Sequence, residues 1–127
     1  MRRVAKGVGK IMLVSTQAGG ETENCLRAAG CCVARMGDGV FALVHAKRER
    51  FDLAVLVSTG KAMDLTETFL ALRDIDKWME IIIVADPEDN KCSELTKRIG
   101  AREFANAHVL TIAELREQLT PLRAASV

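Results

Sequence analysis

A chain of 127 residues can bury one hydrophobic core but not two. Its 18 basic and 17 acidic side chains nearly cancel to a net charge of +1, so no global field marks it as a nucleic-acid or membrane-surface binder. Four Phe, one Trp and no Tyr are too few for a base-stacking surface, and no apolar run is long enough to span a bilayer.

The chain opens on a basic stretch, "MRRVAKGVGK", with no apolar h-region or cleavage site behind it. Residues 1–8 are therefore expected to be a basic, flexible leader, residues 9–122 a single domain and residues 123–127 a tail, in a protein of the cytoplasm. The first strand is expected at "KIMLV", residues 10–14, followed by a helix over residues 21–29 that Gly30 stops. "CCVAR", residues 31–35, is the second predicted strand. Asp38 can cap the helix that follows it, which places Val40, Phe41 and Val44 on one face.

"DLAVLV", residues 52–57, is the third predicted strand, and Leu65, Phe69 and Leu72 recur at helical spacing after it. "EIIIV", residues 80–84, is the fourth. Asp86, Pro87, Glu88 and Asp89 then form a helix start, with Cys92, Leu95 and Ile99 facing the core and Gly100 as the stop. "REFAN", residues 102–106, is the predicted fifth strand. Thr111 with Glu114 makes a capping box for the last helix, whose Ile112, Leu115, Leu119 and Leu122 form an apolar stripe.

Strict alternation of strand and helix implies parallel strands joined by right-handed crossovers with helices on both faces. The first, third and fourth strands are nearly continuous aliphatic runs, as strands buried on both sides are, whereas the second and fifth carry Arg35, Arg102, Glu103 and Asn106. The polar strands belong at the edges. The fold class is thus a three-layer α/β sandwich of five βα units, flavodoxin-like, with the sheet in the order 2-1-3-4-5.

Read in this order, the segments "KIMLV", "AAGCCV", "DGVFAL", "FDLAVLV", "MD" at Met63 and Asp64, "IIIVAD" and "IGAREF" give the chain a resemblance to the receiver domains of bacterial response regulators over roughly residues 9–120. In that family an acidic pair after the first strand binds Mg²⁺, and an aspartate at the end of the third accepts a phosphoryl group. A Ser or Thr ends the fourth strand and a Lys the fifth. The physical roles are oxygen ligands for a hard cation, a carboxylate nucleophile, and donors aimed at developing negative charge.

Carried over by position, the acidic pair falls on Ser15 and Thr16, the acceptor on Val57, the Ser or Thr on Ala85 and the lysine on Ala107. No Asp or Glu occurs from Met1 to Gly20 or from Leu53 to Met63, so a slip of a few residues restores nothing. The resemblance therefore implies a degenerate, phosphorylation-independent receiver, a protein-interaction module of two-component-type signalling, with no cofactor and no metal. Its partner would be another protein, and the family's habit of helix-face pairing makes a homodimer conceivable. The partner face would include Phe104, taken as the fifth-strand aromatic of the family, with Arg102, Lys91, Lys97 and Arg98.

Two other functional classes compete. A small-ligand site could occupy the strand ends, lined by Ser15, Thr16, Gln17, Ser58, Thr59 and Asp86, because open α/β sheets bind at their carboxyl edge. A thiol sensor would use Cys31, Cys32 or Cys92. However, Cys25, Cys31, Cys32 and Cys92 lack paired C-x-x-C spacing and are expected to be small buried hydrophobes, with Cys31 and Cys32 facing opposite sides of the sheet. Neither His45 nor His108 stands beside a nucleophile in sequence, so no enzyme is expected.

Overall fold

The computed structural model describes residues 10–15, 20–57, 65–84, 97–99, 104 and 106–125. Five parallel strands, β1 (Ile11–Val14), β2 (Val33–Met36), β3 (Leu53–Val57), β4 (Glu80–Val84) and β5 (Ala107–Leu110), form one sheet in the order β2-β1-β3-β4-β5. The order is the one expected from strand composition. Residues of β1 are all buried, as are all but the last of β3 and all but the first of β4, whereas β2 and β5 are only partly covered.

Side-chain alternation divides the core into two layers. On one face Met12, Val14, Ala54, Leu56, Ile81 and Ile83 pack under helices α2 (Gly39–Arg48) and α3 (Leu65–Ile75), through Ala42, Phe69 and Leu72. On the other, Ile11, Leu13, Leu53, Val55, Ile82 and Val84 meet Leu26 of α1 (Glu21–Ala28) and Leu115 of α4 (Ile112–Ala125). Each fully buried aliphatic side chain contributes about 1.5–3 kcal/mol, so the central strands carry most of the stability.

Local chemistry sets the helix ends. Gly30 at φ 87° closes α1: its N–H donates to the Arg27 carbonyl at 3.0 Å and the Cys31 N–H to the Leu26 carbonyl at 3.2 Å. That is the Schellman pattern, which favours a residue without Cβ in the left-handed region. Asp38 caps α2, its Oδ1 accepting from the Phe41 N–H at 2.7 Å. The Thr111–Glu114 box forms in both directions, at 3.0 and 3.1 Å. Gly39 is needed for a close approach, since a Cβ there would run into the Oγ1 of buried Thr68 on α3.

Two expectations are corrected. β5 lies at Ala107–Leu110, beyond the expected residues 102–106, of which 102, 103 and 105 lie outside the described residues. Asn106, with φ 56°, is in the left-handed region and ends the preceding turn; its carbonyl accepts from the Ile81 N–H at 2.9 Å and from Arg73 Nη2 at 3.1 Å, which fixes where β5 starts. β2 begins at Val33, so Cys31 and Cys32 precede it and do not alternate across the sheet; Cys25 and Cys31 are half-buried against the core and Cys32 is exposed. Val40, Phe41 and Val44 share one face of α2 as expected, and that face points outward, because Ala42, Leu43 and Ala46 take the inward side. The last helix runs on to Ala125, into the expected tail. The helix predicted from Asp86 lies outside the described residues except for residues 97–99, which are helical, with Ile99 buried.

Candidate functional site at the carboxyl end of the sheet

The crossovers bring the carboxyl ends of all five strands to one edge, the place where an open α/β sheet can bind or react. The register places Met36 beside Val14, Val14 beside Leu56, Val57 beside Val84, and Val84 beside Leu110. Every strand thus ends on an apolar side chain. Val57, the last residue of β3, is half-buried and has no ionisable group, so it offers neither a nucleophile nor an oxygen ligand.

Ser15 follows β1 directly and is only 6% exposed. Its N–H extends the ladder to the Met36 carbonyl at 3.0 Å, and its own carbonyl accepts from Arg35 Nη1 at 3.0 Å. Arg35 also lies 3.9 Å from Glu23, which Arg27 holds at 2.9 Å; Arg27 Nη2 in turn donates to the Val33 carbonyl at 3.3 Å. A guanidinium therefore braces the backbone where β1 ends. A cation at this spot opposes a divalent metal ion, and Glu23 offsets part of its charge.

Ala107, which the resemblance matches to the lysine position, is the first residue of β5 and pairs with Ile81, at the opposite end from the strand tips. The reason is the five-residue displacement of β5 relative to the expected strand. Leu110 and Thr111 are the residues at the carboxyl end, and neither is cationic. Thr16, Ser58, Thr59, Ala85 and Asp86 lie outside the described residues, as does Gln17. Two carboxylates that follow strand ends, Asp38 and Glu114, cap helices. Among the described residues no group of three or more His, Cys, Asp and Glu side chains is placed to hold a metal ion.

Phe104 precedes β5 rather than belonging to it. It is half-buried, edge-on to Phe69 at 5.0 Å and 77°, with the Arg98 guanidinium 4.9 Å over its ring. Arg73 sits 5.9 Å over Phe69 on the same stack. Lys97 is exposed beside it, whereas Lys91 and Arg102 are outside the described residues. The Cys31 thiol is pushed up by burial and then by Cys25, which keeps it protonated and slow to react.

Arg73 gave no signal in the sequence, because an arginine in the last turn of a helix is usually only a favourable dipole partner. Here its Nη1 donates to the carbonyls of Asp76 at 3.3 Å and Lys77 at 2.7 Å, and its Nη2 to Asn106, so one side chain joins the end of α3, the loop into β4 and the entry to β5. Burial lowers its affinity for a proton, partly offset by Asp76 and Glu80.

No protein-family model matches the chain, and no curated protein matches it in sequence. Solved structures match its fold. The chemotaxis response regulator CheY4 of Vibrio cholerae superposes with a TM-score of 0.65 at 20% identity, covering 91% of this chain and 98% of that one. A CheY-like response regulator receiver domain protein from Methanospirillum hungatei gives 0.65 at 18% identity, covering 93% and 98%. The receiver domain of the Francisella response regulator 1452 gives 0.62 at 15%, covering 93% and 98%. The chain has the CheY-like receiver fold. No helix among the described residues is long and apolar enough to cross a membrane.

Proposed function

We propose that this chain is a receiver-fold module of two-component-type signal transduction that acts through protein contacts and does not accept a phosphoryl group. The observation that carries this reading is the row of apolar strand ends, with Val57 at the tip of β3 and a guanidinium, Arg35, bracing the end of β1. Among the described residues the strand ends offer a phosphoryl group no carboxylate acceptor and no set of oxygen ligands for the Mg²⁺ that acyl phosphate formation needs.

In such a module the conformational balance is set by sequence or by a bound partner, not by covalent charge. Phe104 is held inward by Phe69 and Arg98, which supports a fixed state of the surface around residues 97–99 and β5, with exposed Lys97 as a docking contact. The expected partner is another signalling protein carrying an acidic surface. Neither catalysis nor a cofactor is part of the proposal.

The test is the intact mass of the full chain after incubation with Mg²⁺ and acetyl phosphate. An unchanged mass is expected. A stable gain of one phosphoryl group would overturn the reading and identify an acceptor outside the positions considered.

A further inference from the structure

Helix α2 is apolar on both sides. Its inward side is fully used, with Ala42 buried and Leu43 and Ala46 packed on the core. Its outward side still shows Val40, Phe41 and Val44, at 75%, 46% and 42% exposure. Single exposed apolar residues are ordinary, but three on one face of a ten-residue helix form a patch. The other exposed large apolar side chains among the described residues, Leu70 and Trp78, stand on α3 and on the loop into β4. The Phe41 ring is already held edge-on to His45 at 4.7 Å, so little freedom is lost when it is covered.

We propose that a second copy of this chain covers this face, with the two α2 helices packed antiparallel about a two-fold axis. The charge pattern of the helix selects that occupant. Asp38 stands at its amino end and the first turn carries no other acid, while His45, Lys47 and Arg48 crowd its carboxyl end, where the acid Glu49 is already taken up by Lys10 and His45. Antiparallel pairing sets Phe41 against Val44 of the second copy, Val40 against the His45 ring that already packs on Phe41, and Asp38 against Lys47, so the apolar side chains meet at the centre and the acidic end meets the basic one. A parallel pairing would bring Lys47 and Arg48 against their own kind. The face is complementary to itself, as an isologous interface requires. A helix of this length is only about 15 Å long, so the interface is at the small end for specific contacts and the association is weak and reversible. The inference stands on α2 alone and is independent of the phosphorylation reading.

Sedimentation velocity of the full chain up to about 1 mM tests it. The unmodified chain is expected to shift from monomer to dimer with concentration. Phe41→Glu and, as a second variant at the most exposed position, Val40→Glu are each expected to weaken dimerisation at least about tenfold while the thermal midpoint holds. Lys47→Glu is expected to weaken it about two- to fivefold. Trp78→Ala, an equally exposed apolar site elsewhere, should leave it unchanged. A chain that stays monomeric to about 1 mM, or a dimer indifferent to both glutamate variants, overturns the proposal.

Discussion

The two ends of the sheet are built from opposite chemistry. At the amino end, polar side chains are engaged with backbone and with one another. The Lys10 N–H donates to Asp52 at 3.2 Å, Lys10 Nζ meets Glu49 at 2.6 Å, His108 meets Glu80 at 3.1 Å, and Arg73 joins three carbonyls. At the carboxyl end the described strands stop on Val14, Met36, Val57, Val84 and Leu110, with Arg35 clasping a carbonyl. An open α/β sheet ordinarily keeps its reactive groups at the carboxyl end. Among the described residues, the polar side chains at the amino end hold the strands in register, whereas at the carboxyl end they brace backbone and cap helices and the strand tips themselves are apolar.

If the carboxyl end is core, removing its side chains costs what core cavities cost. Leu56→Ala, at a fully buried position one residue before the tip of β3, is expected to lose about 3–4 kcal/mol in urea unfolding. A loss near zero would mean that the tip is loosely packed, as a binding site would be.

The amino end predicts a different kind of loss. Arg73→Leu leaves the carbonyls of Asp76 and Lys77 without this donor and is expected to cost about 2 kcal/mol. Arg73→Lys should recover less than half, because an ammonium cannot span three acceptors with a planar fork. Hydrogen exchange would show the accompanying fraying at Ala107 and His108.

A smaller effect isolates the contact that closes the carboxyl end, where α2 starts. Gly39→Ala is expected to destabilise by about 1 kcal/mol, as overpacking against Thr68 outweighs the gain in helix propensity. In a Thr68→Ala background the same change should be neutral or favourable, and a double-mutant cycle measures that coupling. Additive effects would place the collision elsewhere.

The smallest effect belongs to the exposed pair at the amino end. Lys10 and then His45 hold the Glu49 carboxyl below its ordinary range. Its stabilisation is therefore complete above the unfolded value of about 4.3 and disappears as pH falls through the lower folded value. Glu49→Gln should lower the thermal midpoint slightly at neutral pH and not at about pH 3, and salt should shrink the difference because both groups are open to water.

What was legible in the sequence follows the range of the interactions involved. Gly30, Asp38 and the Thr111–Glu114 box act within a few residues, and each works where its spacing placed it. Strand order was readable because burial on both faces writes itself as an aliphatic run. The position of β5 was not, because Asn106 takes its left-handed turn under long-range bonds from Arg73 and Ile81 that no local pattern encodes. That error moved the lysine position to Ala107 and put Phe104 on a strand. The outward face of α2 was half legible: apolar residues all round a helix signal two covered sides, but periodicity alone does not say which side meets the sheet. At the site, the apolar tip of β3 could be read directly, whereas the bracing role of Arg35 required the fold.

The most direct test of the account is a pair of amide ¹H–¹⁵N spectra of the full chain, without and with Mg²⁺ and beryllofluoride, which mimics an acyl phosphate at a receptive carboxylate. The account predicts superimposable resonances for Ser15, Val57, Val84 and Thr111. Saturable shifts at those amides, with further changes at Phe104, would contradict it and show a working phosphoryl pocket.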